Sequence, residues 1–487
     1  MRESLNVLIV SSEIVPFAKT GGLGDVVGAL AKNLENLGVN VSLAMPKYKK
    51  QEIDEIAKEI GAKEIEVKIG DEIFKGSVWK GEIGSSIKVY FVDNPSFFYR
   101  EELYGVGGND YPDNHKRFIF FSLVLLEFIK KKNLNFDVIH CNDWQTALIP
   151  AYIKLRGNNI PTLFTIHNLA YKGLFPPETV VLSGFGWNYF TPEYFEFYNQ
   201  FCFLKGGIKF SDIINTVSER YALEIQTPEF GEGLDGFLKA RSDSLFGVLN
   251  GVDYDVWNPT TDPHLKSRYT LRSIGRKRIN KEDLIKECGL EIDSEKPLIG
   301  MITRLVDQKG LDILLPVLDE IISMGAGMVI LGKGDEYYER ALKEKAKKLK
   351  GKLSVKIEFN ESLAHKIEGG ADMFLMPSRY EPCGLNQLYS MKYGTVPIVR
   401  AVGGLYDSVK EFNPKTGTGT GFRFENYRSE ELLKAVKRAI RVFKNKEQWE
   451  RLIKNCMKED FSWEKSAKKY IKLYELAIGK NLKERVK

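Results

Sequence analysis

Short apolar runs alternate with amphipathic segments along this chain, and they do so in two successive series. In the first, the runs Val7 to Ser11, Val39 to Ala44, Val89 to Val92, Val138 to Cys141, Thr162 to Ile166 and Ile213 to Val217 predict strands. Helical patterns fall between them at Asp25 to Leu37, His115 to Lys131, Gln145 to Lys154 and Ser218 to Ile225. Pro297 to Ile302, Met328 to Leu331, Val355 to Phe359, Met373 to Met376 and Val396 to Val399 repeat the scheme, with helices predicted over Gly310 to Ser323, Asp335 to Leu349, Leu385 to Tyr393 and Ser429 to Val442. Strands that are apolar throughout and separated by helices belong to parallel sheets covered on both faces. The fold class expected is therefore α/β, with two doubly wound domains. Ligands of such sheets bind beyond the carboxyl ends of the strands, so two facing sheets would form a deep cleft between them.

Length agrees with two domains, since 487 residues exceed what one hydrophobic core normally supports. The boundary is expected near Leu249 to Asp253, before the turn-rich Trp257 to Pro263, giving domains 1–248 and 249–462, with 254–296 as a polar excursion before the second sheet. The longest apolar stretch, Phe118 to Ile129, is interrupted by Glu127 and too short to span a bilayer, so it reads as a buried helix. No membrane partner is expected. The start of the chain lacks the basic and apolar segments of a cleavable signal. The net charge is only +6, with basic and acidic residues interspersed, which argues against a nucleic-acid partner. Cys141, Cys202, Cys288, Cys383 and Cys456 form no CxxC pair, which fits a reducing cytoplasm and predicts no zinc site.

The chemistry-bearing residues lie where predicted strands end. Lys19, Thr20, Gly21, Gly22, Leu23, Gly24 and Asp25 link the first strand to the first helix. Glycines admit a ligand close to the backbone, a helix start offers unpaired N–H donors, and Lys19 adds a cation; a tight turn with a surface lysine would look the same. Asp25 could serve the helix dipole or a bound hydroxyl. Asn142, Asp143 and Trp144 follow the fourth strand: Asp143 suits either a ligand hydroxyl or a helix cap, and Trp144 could stack on a sugar. His167 and Asn168 follow the fifth strand, where a histidine could donate to a carbonyl or hydroxyl. In the second series Arg304 and Lys309 bracket a loop that opens a helix, an arrangement suited to a diphosphate. Glu381, Cys383, Gly384 and Leu385 follow another strand, with Glu381 able to hold hydroxyls and Cys383 read as a packing residue. Gly332 to Asp335 and Val402 to Leu405 repeat the glycine-before-helix arrangement.

In order along nearly the whole chain, KTGGLGD (Lys19 to Asp25), HNLAYKG (His167 to Gly173), LNGVD (Leu249 to Asp253), TRLVDQKG (Thr303 to Gly310) and YEPCGL (Tyr380 to Leu385) resemble bacterial glycogen synthases and plant starch synthases. The resemblance implies a GT-B fold with acceptor mainly on the first domain and donor nucleotide mainly on the second. It also implies that the last helix, within 463–487, packs back on the first domain. The implied reaction is transfer of glucose from ADP-glucose to the non-reducing end of an α-1,4-glucan such as glycogen, with retention of configuration, without a metal or resident cofactor. Carried over by residue, Lys19 would contact donor phosphate or sugar, Gly21 and Gly22 would allow close approach, and Arg304 and Lys309 would bind the diphosphate. Glu381 would hold glucose hydroxyls beside Cys383, Gly384 and Leu385. His167, Asp143 and Asn168 would line the sugar and acceptor side, with Asp25 and Asn250 as further sugar candidates and Tyr99 as an adenine or sugar neighbour.

The chain departs from the family pattern at Asn142 and Gln145, where histidines are common, and at Asn386, where a threonine is usual. Another GT-B transferase using UDP-glucose or a different acceptor is the alternative. A nucleotide-binding dehydrogenase would need a GxGxxG fingerprint that Gly21, Gly22 and Gly24 do not form. A non-catalytic glucan-binding protein would be favoured by loss of Glu381, Lys309 or His167, and all three are present. Neither donor preference nor oligomeric state has a motif in this sequence.

Overall fold

The computed structural model describes residues 4–59 and 64–486. The chain divides into two compact units. One holds residues up to Val217, Ala222–Gly251 and the chain from Trp463 onward; the other holds Ser218–Tyr221 and Val252–Ser462.

The first unit is built on a large sheet whose strands run in the order Leu245–Gly247, Ile213–Thr216, Thr162–Ile166, Val138–Asn142, Asn6–Val10, Asn40–Pro46, Ile87–Asp93 and Glu72–Ile83. All but the last are parallel; Glu72–Ile83 pairs antiparallel with both Ile87–Asp93 and Ile65–Ile69. Val7, Leu8, Ile9 and Val10 are fully buried, as expected of a central strand covered on both faces. The helix Gly22–Asn36 turns Val26, Val27, Leu30, Ala31 and Leu34 inward at helical spacing. Its Gly24 and Gly28 face the preceding loop, where a Cβ would come within 2.8 Å of the Ala18 oxygen and 2.9 Å of the Val15 oxygen. Phe118 to Ile129 lies in the helix Asn114–Lys131, buried almost throughout. No described helix is long and apolar enough to cross a membrane.

The last helix, Trp463–Val486, packs on this first unit through hydroxyl groups as well as apolar side chains. Tyr474 Oη lies 3.0 Å from His140 Nδ1, and Asn215 donates to Tyr470 Oη at 3.0 Å. Burial lowers the His140 pKa to about 3, so this ring is a neutral structural group. Gly251 makes room for the helix start, since a Cβ there would overlap Trp463.

The second unit has a parallel sheet in the order Leu353–Lys356, Gly327–Leu331, Leu298–Ile302, Met373–Met376, Val396–Arg400 and Phe422–Phe424. Its core includes Leu298, Val329, Leu331 and Phe374 packed under Leu284, Leu363 and Ile367. Leu284 corrects the reading of 254–296 as a polar excursion, because it belongs to a helix within that segment, Lys277–Glu287, which packs against Glu361–Gly370, the helix of Leu363 and Ile367. The helix expected over Gly310 to Ser323 is two helices, Leu311–Leu314 and Leu318–Ser323. Pro316 falls at the break and has no N–H to continue the ladder. Gln145 to Lys154 likewise begins as a 3-10 turn, Trp144–Thr146, before the helix Leu148–Leu155.

In both sheets the chain fills one side of its first strand, then returns to the other. The reversal lies between Asn6–Val10 and Val138–Asn142 in the first unit, and between Leu298–Ile302 and Met373–Met376 in the second. Loops leaving the carboxyl ends of such neighbouring strands diverge and leave a crevice.

Candidate functional site

At the first unit's reversal, the loop after Asn6–Val10 carries Lys19 and the glycines. Lys19 Nζ pairs with Asp25, at 2.6 Å from Oδ2 and 2.9 Å from Oδ1, both side chains being well exposed. Asp25 thus neutralises the lysine beside the helix start. The amides of Thr20 and Gly21, which precede the helix, both donate to the carboxylate of Glu13, at 2.6 and 3.3 Å. Gly21 has an extended backbone, φ −151°, and a Cβ there would meet no atom within 4 Å. Its open side is therefore not demanded by packing. Gly22 begins the helix. A cavity of about 170 Å³ adjoins this loop, lined by Phe17, Lys19, Thr20, Lys50, Glu101 and Glu102. Tyr99 accepts a hydrogen bond from Lys47 Nζ at 2.8 Å.

Across the reversal, Asp143 follows the strand Val138–Asn142 with φ 56°, a conformation rare for a residue with a Cβ and concentrated at functional sites. Its N–H is held by the Thr165 oxygen at 3.0 Å. The side chain does not cap the following 3-10 turn; Asp143 Oδ1 accepts the His167 N–H at 2.8 Å. Burial raises its pKa to about 7, and the nearby Glu13 charge adds to that, while the His167 and Asn168 amides oppose it. His167 Nε2 lies 2.9 Å from Asn142 Oδ1, and Asn142 Nδ2 donates to the Val10 oxygen at 3.1 Å. That second bond orients the amide, so Nε2 carries the proton and Nδ1 is left as an acceptor. Burial lowers the His167 pKa to about 3, keeping the ring neutral. The histidine expected as a donor has thus already committed its proton. Asn168 Oδ1 accepts from the Ala170 N–H at 3.1 Å in a local turn.

Trp144 is no sugar platform. It sits among Phe118, Phe175 and Phe203, with ring centroids 5.0 to 5.9 Å away, and a Cβ on Gly173 would strike its ring. Asn250 is buried, and its Oδ1 has no hydrogen-bond partner among the described residues.

The second unit's reversal gathers three of the predicted loops. Lys309 Nζ donates to Glu381 Oε2 at 2.6 Å, and Ser378 Oγ donates to the same oxygen at 2.8 Å. Glu381 is 6% exposed. Arg304 is exposed, 3.5 Å from Gln308 Oε1, and Gln308 in turn donates to the Tyr380 oxygen. Gly310 (φ 76°) lies where a Cβ would overlap the Pro377 oxygen, and Gly403 (φ 45°) where it would overlap that of Glu381. Gly404 crowds the Cys383 backbone in the same way and donates its N–H to the Glu381 oxygen at 3.1 Å. Cys383 is buried, Gly384 takes φ 69°, and Leu385 precedes the helix Asn386–Lys392. Asn386 ties that helix to the Ile302 oxygen at 2.8 Å. A carboxylate fixed by an ammonium and a hydroxyl, with a second cation on the same loop as the first, is equipped to hold hydroxyl groups and a polyanion.

Sequence reasoning overlooked Glu13 and Ser378. Ser378 is three residues before Glu381, between the strand Met373 to Met376 and the run Tyr380 to Leu385; the only signal for Glu13 was its place just beyond a strand end.

The first part of the chain, residues 6–240, matches the family model described as the starch synthase catalytic domain, and residues 285–459 match that described as glycosyl transferases group 1. The glycogen synthase of Fervidobacterium nodosum is 46% identical, over 98% of this chain and 99% of its own length; that of Thermosipho melanesiensis is 47% identical, over 98% and 100%. Among solved structures, the catalytic domain of Arabidopsis thaliana starch synthase IV, bound to ADP and acarbose, superposes with a TM-score of 0.88 at 34% identity, covering 98% of this chain and all of that one. A sucrose-phosphate synthase from Thermosynechococcus elongatus shares the fold alone, with a TM-score of 0.62 at 14% identity. With two Rossmann-like units of the GT-B class and relatives matched from end to end, the chain belongs to the glycogen synthase family of glycosyltransferases.

Proposed function

We propose that this chain elongates an α-1,4-glucan, taking glucose from ADP-glucose to the non-reducing end and releasing ADP. The observation that carries this reading is the Lys309–Glu381–Ser378 cluster at the second unit's strand reversal. Both donors converge on Glu381 Oε2, which leaves Oε1 with acceptor capacity for a glucose hydroxyl. Arg304 and Lys309 bind the diphosphate and neutralise the charge that develops as ADP leaves, so no metal is required for that task. The region around Cys383, Gly384 and Leu385 completes the donor side.

On the first unit, Lys19, Asp25, Gly21 and Gly22 serve donor phosphate or sugar; Asp143, His167, Asn168 and Asn250 serve the sugar and acceptor side. The glucosyl C1–O bond to phosphate breaks as the acceptor O4–C1 bond forms on the same face. The O4 proton passes to the departing phosphate oxygen, and the His167 carbonyl stabilises the electron-poor C1. Glycogen or a related glucan in the cytoplasm is the acceptor this reading requires.

The test supplies labelled glucose as ADP-glucose or UDP-glucose, with glycogen and a chelator, followed by digestion specific for α-1,4 bonds. Labelled α-1,4-glucan from ADP-glucose is expected; growth only from UDP-glucose, or only with added metal, would overturn the corresponding part of the proposal.

Two substitutions probe the first unit. Gly21→Ala should leave the melting temperature unchanged, because the new methyl meets no protein atom, while raising the KM for ADP-glucose about tenfold by occupying ligand space. An unchanged KM would remove Gly21 from the donor site. For Asp143, whose pKa is raised from 3.8 to about 7, the folded state favours the proton. Its stabilising contribution is therefore complete below the ordinary value and is lost as pH rises through about 7. The ionised form is the one that accepts a sugar hydroxyl, so kcat/KM should rise through an ionisation near 7. Asp143→Asn should lose that limb, and a variant retaining it would assign the ionisation elsewhere.

A further inference from the structure

Glu13 has no role in the family motifs noted above, yet it is the best-connected carboxylate of the first unit's loop. It is 4% exposed and receives four donors, two on each oxygen. Thr20 Oγ1 and Tyr104 Oη donate to Oε1, both at 2.7 Å; the Thr20 and Gly21 amides donate to Oε2 at 2.6 and 3.3 Å. Its own backbone is fixed by Ser11, whose Oγ donates to the Glu13 oxygen at 2.8 Å and accepts from its N–H at 3.2 Å. Tyr104 is held in turn by a 2.7 Å contact between its hydroxyl and Ser12 Oγ.

Successive amides converging on one oxygen form an anion-binding nest, and in this loop the anion is built in. The consequence falls on Lys19 and Gly21. Lys19 is the residue before Thr20, so fixing the Thr20 amide and hydroxyl fixes where its side chain departs. Fixing the Gly21 amide sets which way the open side of that glycine faces. A flexible glycine-rich loop would otherwise lose considerable backbone entropy on binding a ligand, a cost that preorganisation removes.

We propose that Glu13 is a positioning residue for the glycosyl donor: its carboxylate is the internal counter-anion of the Lys19–Gly21 loop, presenting Lys19 and the open face of Gly21 to the nucleotide sugar. The proposal rests on the donor reading given above. It makes Glu13 a determinant of donor affinity that never touches the donor.

Glutamine is the informative replacement. It keeps the size and one acceptor oxygen but turns the other oxygen into an NH2 group, which opposes two of the four donors. Glu13→Gln should raise the KM for ADP-glucose and the dissociation constant for ADP, read by titration calorimetry, about tenfold each, with kcat changed by less than about threefold. Lys19→Ala should weaken donor binding by itself, and in that background Glu13→Gln should add less than its full wild-type factor, because the part of its effect that runs through Lys19 is already lost and only the part through Gly21 remains. Thr20→Val, which deletes only the hydroxyl bond to Oε1, should move KM in the same direction by about threefold, and it carries the test if Glu13→Gln does not fold.

A Glu13→Gln enzyme with unchanged donor KM and ADP affinity, or one whose effect multiplies in full with that of Lys19→Ala, overturns the proposal. So does loss of kcat alone, which a merely structural disturbance would give. Wild-type enzyme assayed alongside separates the two claims: absence of turnover with ADP-glucose would refute the donor reading, whereas the ADP titration reads the role of Glu13 independently of turnover.

Discussion

Glu381→Gln should lower turnover by about a hundredfold while leaving the protein folded, the effect of removing one well-placed stabilising charge. The carboxylate is almost wholly buried, and its ammonium partner is 2.6 Å away. Glutamine fills the same volume and can still accept from Ser378, so packing and the local hydroxyl bond survive. The charge does not. Lys309 then loses its counter-ion, and under the proposed reading the sugar hydroxyls meet an amide in place of a charged acceptor. The reverse change, Lys309→Ala, leaves a buried carboxylate unpaired and should cost stability as well, about 3 kcal/mol. A difference between the two variants in melting temperature, with a similar collapse of kcat, is the pattern expected. Near-normal turnover by a folded Glu381→Gln enzyme would take that residue out of the site.

Gly403→Ala should be nearly as damaging, although residue 403 carries no functional group. Its φ of 45° disfavours any residue with a Cβ, and the added methyl would overlap the carbonyl oxygen of Glu381 itself. Both atoms belong to constrained backbone, since the next amide, that of Gly404, donates to this oxygen and Gly404 is pressed against Cys383. The strained backbone should cost roughly 1–3 kcal/mol. Relief of the overlap moves Glu381, and a displacement of about 1 Å at a catalytic group is enough for a loss of about a hundredfold in turnover. Melting curves and kcat measured together check both consequences; full activity in a stable Gly403→Ala protein would show that the two loops do not depend on each other.

Much of this architecture was legible because parallel strands are apolar throughout. Val7 to Val10, Thr162 to Ile166 and Met373 to Met376 have no polar alternation to confuse with a surface strand. The antiparallel pair Ile65–Ile69 and Glu72–Ile83 escaped attention because it lies away from the sheet centre and Glu72–Ile83 has neither a continuous apolar run nor a regular alternation. The loops bearing Arg304, Lys309 and Glu381 could be singled out from their places at strand ends, but their 2.6 Å contact could not, since it depends on strand order. Glu13 was hidden for a different reason. Its donors from Thr20 and Gly21 lie seven and eight positions along the same loop, but the third partner, Tyr104, is 91 positions away, and no sequence pattern links it to Glu13.

Asn142 illustrates the same limit from the other side. Read along the chain it is only an asparagine where the family resemblance leads one to expect histidine. In space it fixes the tautomer of His167, a residue 25 positions away, and so decides whether that ring donates or accepts. Lys19 and Asp25 were both singled out as ligand contacts, yet the two side chains pair with each other, so under the proposed reading a donor phosphate would compete with Asp25 for the ammonium. Long-range polar pairing is the part of this site that one-dimensional pattern conveys least.

Stoichiometry is the most direct test of glucan elongation. With ADP-glucose and a defined maltooligosaccharide, ADP release and glucosyl incorporation should be measured in the same sample. The account predicts equal amounts of the two products, every added unit joined by an α-1,4 bond at the non-reducing end. ADP released without growth of the acceptor, or growth at the reducing end, would contradict it.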